Sequence, residues 1–419
     1  MNKCVILIES QLFYFSYSIV QKIQEYGYRV VLICRDINIY VDAFPGLAKN
    51  HLLEADCIIR CETNDVNQLV DVIKKIQKDV EISAILSFSD YYVEIASKLC
   101  KLFNINNENL QTVTNIKRKS TQYQILANKG IRIPRTEVLN LQERERMPLE
   151  AIQYPCIVKP DSDSSSHGVT FIQNPEELEK YIYEHRMSRF NERMQLQSGI
   201  LLVQEFIEGE EISVEVFTEN GRRHILGFTS KKMHKNTFAE KVFSFPYSVE
   251  SFLAKEIKDY VYSVLDALNV TFGCSHIEIK INRGIPILIE VNPRLGGRYI
   301  SKMIEDVYGF NCFLETFKLS ILGAKYVFPQ EQFASCDKGA AYNVLYSDEP
   351  GTLISSYELG LHNLENAELL LVKKDYIRAV NDNSDAFGYI YCSSVSAARA
   401  EREVQNSELR LGFKVQKNG

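Results

Sequence analysis

Hydrophobic positions in the first hundred residues come in short unbroken runs. "CVILI" (4–8), "RVVLICR" (29–35) and "SAILSF" (83–88) are rich in β-branched residues and show no alternation. Between them, "SYSIVQKIQEYGY" and "VNQLVDVIKKIQKD" carry apolar residues at helical spacing. Buried strands alternating with helices predict a parallel sheet with helical crossovers over roughly residues 1–110. The turn after the first run, "ESQLFYFSYS", lacks the glycine fingerprint of a dinucleotide site, so none is expected there.

Beyond residue 110 the pattern changes. Residues 116–129 read as one helix that ends at Gly130. "YPCIVKP" reads as a strand stopped by Pro160, and "DSDSSSHG" (161–168) as a loop of small residues. "ILLVQEFI" and "EISVEVFT" are further strands, and "AKEIKDYVYSVLDALN" is a long amphipathic helix. The last hundred residues mix both element types.

Alternation is cleanest in "SHIEIKINRGIPILIEVNPRLGG" (275–297). His276, Glu278 and Lys280 share one face of the first strand, with Ile277, Ile279 and Ile281 on the other. In the second strand Leu288, Glu290 and Asn292 share a face, with Ile287, Ile289 and Val291 opposite. A short loop around Arg283–Gly284–Ile285 then sets Glu278 across from Glu290 and His276 across from Asn292. Like charges directly opposite one another destabilise a hairpin. A divalent cation on Glu278, Glu290 and Asn292 relieves the repulsion, and Mg²⁺ suits a few hard oxygens that leave room for phosphate. Pro293 ends the strand. Arg294 then stands where a phosphate would lie, and Arg298, at the start of the next helix, reads as an anchor for a substrate carboxylate.

Composition narrows the class without naming it. The 419 residues exceed one compact core and imply two or three domains. A net charge of −6 offers no basic field for nucleic acid or an anionic membrane. No run approaches the roughly 20 apolar residues of a membrane span. The opening has only about five apolar residues before Glu9, too few for a signal-peptide core. Ten scattered cysteines without a CxxC fit a reducing compartment, so a cytoplasmic location is expected.

The hairpin and the segments before it, taken in order, resemble the ATP-grasp superfamily over about residues 115–325. Lys119, followed by a helix and "Gly130-Ile-x-Ile-Pro134", is similar to that family's phosphate-contacting lysine. "YPCIVKP" resembles the strand whose lysine, here Lys159, reaches the α- and β-phosphates. "VQEFIEGEE" resembles the hinge that holds adenine and ribose. The outer segments, including "GYIYCSSVSAARAE" (388–401), are compatible with the amino-acid-ligase and biotin-carboxylase-like branch.

The resemblance implies an α/β fold with a Rossmann-like parallel-sheet domain (1–110), an ATP-grasp domain (111–325, lid roughly 153–207) and a C-terminal antiparallel-sheet subdomain (326–419). It implies an ATP-dependent carboxylate–amine ligase acting through an acyl phosphate on an amino acid. A bicarbonate-activating carboxylase, a purine-pathway ligase and an inactive ATP-binding module stand as alternatives.

ATP would be held by Lys119, Lys159, Ser165, Ser166, Gly168, Gln204, Glu205, Phe206, Ile207 and Glu211. Mg²⁺, with Mn²⁺ as an alternative, would be held by Glu278, Glu290 and Asn292, and Arg294 and Arg298 would be catalytic. The expected partners are small carboxylates and amines, with no nucleic acid or membrane, and a second copy of the chain by analogy. The loop departs from the family's glycine-rich form. Only Gly168 keeps the glycine, and Asp161 and Asp163 must point away from phosphate. "GFTSKKMHKNTFAEKVFSFP" (227–246) reads as a basic loop crossing the site, in which Lys231 or Lys232 touches phosphate or substrate, or is merely solvated.

Overall fold

The computed structural model describes residues 3–43, 50–143, 152–164, 166–185, 190–235, 237–333, 337–354, 367–372 and 376–416. The unalternating runs near the N-terminus form a four-stranded parallel sheet. Its order is Cys57–Arg60, Arg29–Cys34, Lys3–Ile8, Glu81–Leu86. The strands Arg29–Cys34, Lys3–Ile8 and Glu81–Leu86 are covered on both faces over most of their length, which is why they are largely apolar, whereas the edge strand Cys57–Arg60 is mostly exposed. Cys4, Ile6, Ile8, Ile33 and Ile85 pack under the helices Val66–Ile76 and Val93–Phe103. Val5, Leu7, Leu32 and Leu86 face Phe313 and Phe317 of the helix Cys312–Leu322.

A four-stranded antiparallel sheet follows, in the order Thr136–Asn140, Ile200–Glu205, Cys156–Pro160, Thr170–Ile172. The helix Pro175–His185 packs Leu178, Tyr181 and Ile182 into its core. The largest sheet has eight antiparallel strands. From one edge it runs Ile285–Asn292, Gly273–Asn282, Glu210–Glu219, Arg222–Met233, Glu240–Phe245, Gly339–Leu345, Gly388–Ser394, Glu368–Leu371. Strands from either side of residue 325 thus share one continuous ladder. One face buries Ile212, Val214, Ile277, Ile279, Leu288 and Val291 against the long helix Ser251–Ala267. Among the described residues no helix is long and apolar enough to cross a membrane.

Three local expectations are corrected. The helix over 116–129 is two helices, Leu110–Lys117 and Lys119–Asn128, broken at Arg118, whose backbone is extended. The break is capped from a distance: the Asp161 carbonyl accepts from Lys119 N–H and the Asp161 carboxylate from Ser120 N–H, at 3.0 and 2.7 Å. The region 227–246 is not a loop but two paired strands. Arg298 does not begin a helix. It sits in the preceding turn at φ +50°, and the helix runs from Ile300 to Tyr308.

Candidate active site

The hairpin Gly273–Asn282/Ile285–Asn292 brings Glu278 opposite Glu290 and His276 opposite Asn292, as the alternation required. The route differs. The turn has two residues, Arg283 and Gly284, at φ +50° and +81°, and pairing near it (Asn282 with Ile285, Ile279 with Leu288) is one residue out of step. A bulge then inserts one residue between Leu288 and Glu290, and the extra residue is Ile289. The bulge switches the phase of the strand. Leu288 and Val291, three apart, both enter the core, so Leu288 does not share the face of Glu290 and Asn292. Ile289 leaves the apolar face and lines the cavity with Glu290 and Asn292. Its carbonyl accepts from Lys159 Nζ at 3.1 Å and from the Tyr123 hydroxyl.

The cavity holds about 470 Å³ and lies between the three sheets. Lys119 opens the second helix after the Arg118 break, and there its ammonium meets Glu290 at 3.1 Å and the Asp163 carbonyl at 2.8 Å. Burial opposes its charge, but Glu290 and Asp90 outweigh it and raise its pKa. Burial, helped by the neighbouring Lys119 charge, outweighs Glu290, Glu278 and Glu211 at Lys159 and pushes its pKa down to about 8.

On the Glu278 side, Lys231 Nζ contacts Glu211, Glu240 and Glu278 at 2.9, 2.7 and 3.0 Å with its side chain 1% exposed. Burial alone would depress it, yet the three carboxylates hold its pKa well above the usual lysine range. Lys232 points the other way and pairs with Glu401. His276 bridges Glu215 (2.8 Å) and Glu278 (3.0 Å), and these outweigh its burial and raise it to about 9. Despite its own burial, Glu278 is held well below the carboxylate range by Lys231 and His276.

Arg294 is clamped by Asp90, which follows the last strand of the parallel sheet. Its Nε and Nη2 lie 3.2 and 3.3 Å from the two carboxylate oxygens. Lys117 meets the same carboxylate at 2.7 Å. Arg298 pairs with Glu240 at 3.1 Å and lies over Tyr389.

The remaining expected residues fall around an apolar end of the same cavity. Gln204 donates to Thr136 Oγ1 at 2.8 Å. Glu205 N–H is taken by the Arg135 carbonyl, and the Ile207 carbonyl accepts from Lys280 at 3.0 Å. Phe206 packs against Phe171 and Phe238 under the Lys280 ammonium. With Ile157 and Ile289, Phe206 and Phe238 make a slot suited to a flat heterocycle. Gly168 has φ +71°, and a Cβ there would lie 2.9 Å from Pro160. Ser166 accepts from Asn383 at 3.1 Å. Ser165 lies outside the described residues. Asp161 is turned away as the helix cap, whereas Asp163 lines the cavity.

Thus one cavity gathers all the expected side chains among the described residues except Gly168, which flanks it through Pro160. It also holds Asp90, Lys231 and Glu240, which sequence reasoning either missed or left undecided. Each is a single charge on a separate element, with no spacing to mark it.

Comparison with known proteins agrees with this geometry. Residues 152–302 match the ATP-grasp domain, and the chain carries that domain. The alanine–anticapsin ligase of Bacillus subtilis is 22% identical over 262 residues, 58% of this chain and 55% of that protein. An uncharacterised Sinorhizobium fredii protein, y4rH, is 22% identical over 376 residues, 88% of this chain and 76% of its own length. The crystal structure of an L-amino acid ligase from Bacillus licheniformis superposes with a TM-score of 0.79 at 17% identity, covering 100% of this chain and 99% of that one.

Proposed function

We propose that this chain is an ATP-dependent carboxylate–amine ligase that forms an amide or peptide bond through an acyl phosphate, with an amino acid as one substrate. The observation that carries the reading is the Glu278–Glu290 pair, with Asn292 beside it and Lys119, Lys159 and Arg294 on the same cavity. Adenine fits the Phe206–Ile157–Ile289 slot and the ribose hydroxyls fit Glu211. Lys119, Lys159 and the loop before Gly168 serve the phosphate chain.

The donor set fits a hard divalent cation: two carboxylates and one amide oxygen, with coordination sites left for phosphate. Glu278, Glu290 and Asn292 would hold it, and when bound it neutralises charge on the phosphate oxygens. The chain's own cations do the rest. A substrate carboxylate oxygen attacks the terminal phosphorus, the bond to the leaving diphosphate breaks, and ADP departs. The amine then attacks the acyl carbon, loses a proton and expels phosphate. Charge gathers on phosphate oxygens in the first step, so fixed cations supply most of the acceleration. Arg294, held rigid by Asp90, is placed to meet that charge, and Arg298 beside Tyr389 and Tyr342 is placed to hold the acid.

The test is release of ADP and phosphate from Mg–ATP against amino acids, dipeptides and small acids, with and without bicarbonate. Release that needs an amino acid, with a product lighter by one water than its two substrates, supports the ligase. Release with bicarbonate alone points to carboxylation. Glu290→Gln should abolish turnover and leave the circular-dichroism spectrum unchanged. Undiminished turnover in that variant would remove Glu290 from the chemistry.

A further inference from the structure

The loop 190–196 joins the helix Pro175–His185 region to the strand Ile200–Glu205 and is built tightly. Phe190 and Leu196 form a bridge, Asn191 Oδ1 accepts from Arg193 and Gln195 N–H, and Met194 adopts φ +60°. The loop lies across the C-terminal edge of the parallel sheet, where ligands of such sheets bind. Its hydrogen bonds there do not use the Arg193 side chain, whose guanidinium lies over the Tyr91 ring at 5.8 Å. The Arg193 carbonyl accepts from Arg35 and Asn64 at 3.1 and 3.0 Å, and Gln195 donates to the Tyr91 carbonyl at 2.9 Å.

The side chain of Arg193 instead lines the cavity. The residue is 6% exposed, and its Nε has no hydrogen-bond partner. Among the described residues the one carboxylate within ion-pair reach is Glu192, at 4.0 Å. A ring face and one carboxylate at 4.0 Å leave the buried guanidinium without a hydrogen-bonded counter-charge, which is costly, so the position calls for an anion from outside the chain. A second orphan lies on the same wall: Gln11 Oε1 is buried without a donor. The strand that leads to Gln11 lies between those leading to Arg35 and to Tyr91, so it emerges beside the Arg193 loop. An unmet donor set and an unmet acceptor on one wall ask for a ligand that carries both an anion and an N–H.

We infer that Arg193 and Gln11 form a subsite for the amine-donating substrate, which is an amino acid or peptide whose free carboxylate sits on Arg193 and whose amine side faces Gln11. The inference rests on the ligase reading above. The carboxylate on Arg193 is a spectator, because the activated one belongs beside Glu278, Glu290 and Arg294. Charge favours a carboxylate over a phosphate. Arg294 is already taken by Asp90, and Arg193, with Glu192 4.0 Å away, has a single positive charge to offer, so a dianion would meet more negative than positive charge there.

The experiment compares amine donors with and without that charge: L-leucine, L-phenylalanine and L-glutamate against their α-amides. In the unmodified protein, kcat/KM should favour the acids by about ten- to a hundredfold, the worth of a buried charge-assisted hydrogen bond. Arg193→Met should erase that preference by raising KM for the acids while KM for ATP stays put, and Arg193→Lys should restore part of it. Because the loop is pinned through the Arg193 carbonyl, the substitution leaves its docking in place. Equal losses for acids and amides, or no change in either, would overturn the subsite and leave the ligase reading standing.

Should no pair of substrates be joined, the ligase reading fails instead, and calorimetry with the same acids and amides decides the subsite. Tighter binding of the acids that Arg193→Met abolishes supports it. No carboxylate-dependent heat on the unmodified protein overturns it.

Discussion

Lys231→Met removes the one ammonium that holds Glu211, Glu240 and Glu278 together. Each contact near 3 Å has a gross Coulomb value of about 5 kcal/mol at an effective dielectric of ~20, but the net loss is smaller. Methionine removes the cost of burying the ammonium, and a carboxylate stranded in the pocket escapes by taking a proton. Neutralising one glutamate of ordinary pKa 4.5 at pH 7 costs about 3.4 kcal/mol, from 2.5 units at 1.36 kcal/mol each. That value caps the penalty for the first stranded carboxylate and lies within the roughly 3–5 kcal/mol expected on breaking a buried pair.

The cap depends on pH. At pH 5 the same neutralisation costs about 0.7 kcal/mol. In the parent, Lys231 holds Glu240 and Glu278 below their ordinary range, so what they lend is lost only as pH falls below about 4.5 and is steady across pH 5–7.5, whereas the variant's stranded carboxylate costs more as pH rises. Thermal unfolding of the variant and the parent across pH 5–7.5 should therefore show curves that separate with rising pH. The gap should reach on the order of 4 °C at neutrality, and added Mg²⁺ should narrow it by standing in for the lost cation. An equal deficit at pH 5 and pH 7, or none, would refute the assignment of Lys231 as the counter-charge of this cluster.

The same reasoning gives further outcomes. Lys159 is charged below about pH 8. ATP affinity should therefore be flat up to that pH and fall by up to about tenfold per unit above it, and Lys159→Met should weaken binding and remove the inflection in a calorimetric titration. His276 is raised to about 9, so the stability it lends is complete below about 6.5 and lost as pH rises through 9. His276→Asn should flatten the alkaline side of the stability profile. Gly209 has φ +130°, and a Cβ there would lie 2.2 Å from the Ile281 carbonyl oxygen. Gly209→Ala should cost about 1–3 kcal/mol in denaturant unfolding and weaken nucleotide binding by moving the hinge off the hairpin.

Alternation made the acidic hairpin legible. His276, Glu278 and Lys280 sit opposite a buried isoleucine series, and no other register hides those isoleucines. The bulge was not legible, because an apolar residue inserted into an apolar strand leaves no mark. The three-residue turn inferred from symmetry and the two-residue turn plus bulge in the structure give the same Glu278–Glu290 pair.

The helix break at Arg118 was hidden for a different reason. Nothing local ends the helix; Asp161, far along the chain, caps the new one. Lys231 could not be told from a solvated lysine, since its three partners come from three strands. Asp90 and Arg193 belong to segments that meet only where the parallel sheet, the four-stranded antiparallel sheet and the large sheet pack together. The site residues that sequence could reveal are those whose partners lie on the same hairpin or beside the same strand end.

The bulge at Ile289 also sets what kinds of change the hairpin tolerates. Replacing the side chain alters the wall of one slot, whereas losing the residue closes the bulge into a regular ladder in which Leu288 and Val291 still face the core and Glu290 and Asn292 still face the cavity. The extra residue is thus dispensable for the register, and what its loss would remove is local: one wall of the slot and the carbonyl that accepts from Lys159 and Tyr123. A one-residue deletion on the partner strand at Glu278 or Ile279, where there is no residue to spare, would instead exchange the faces.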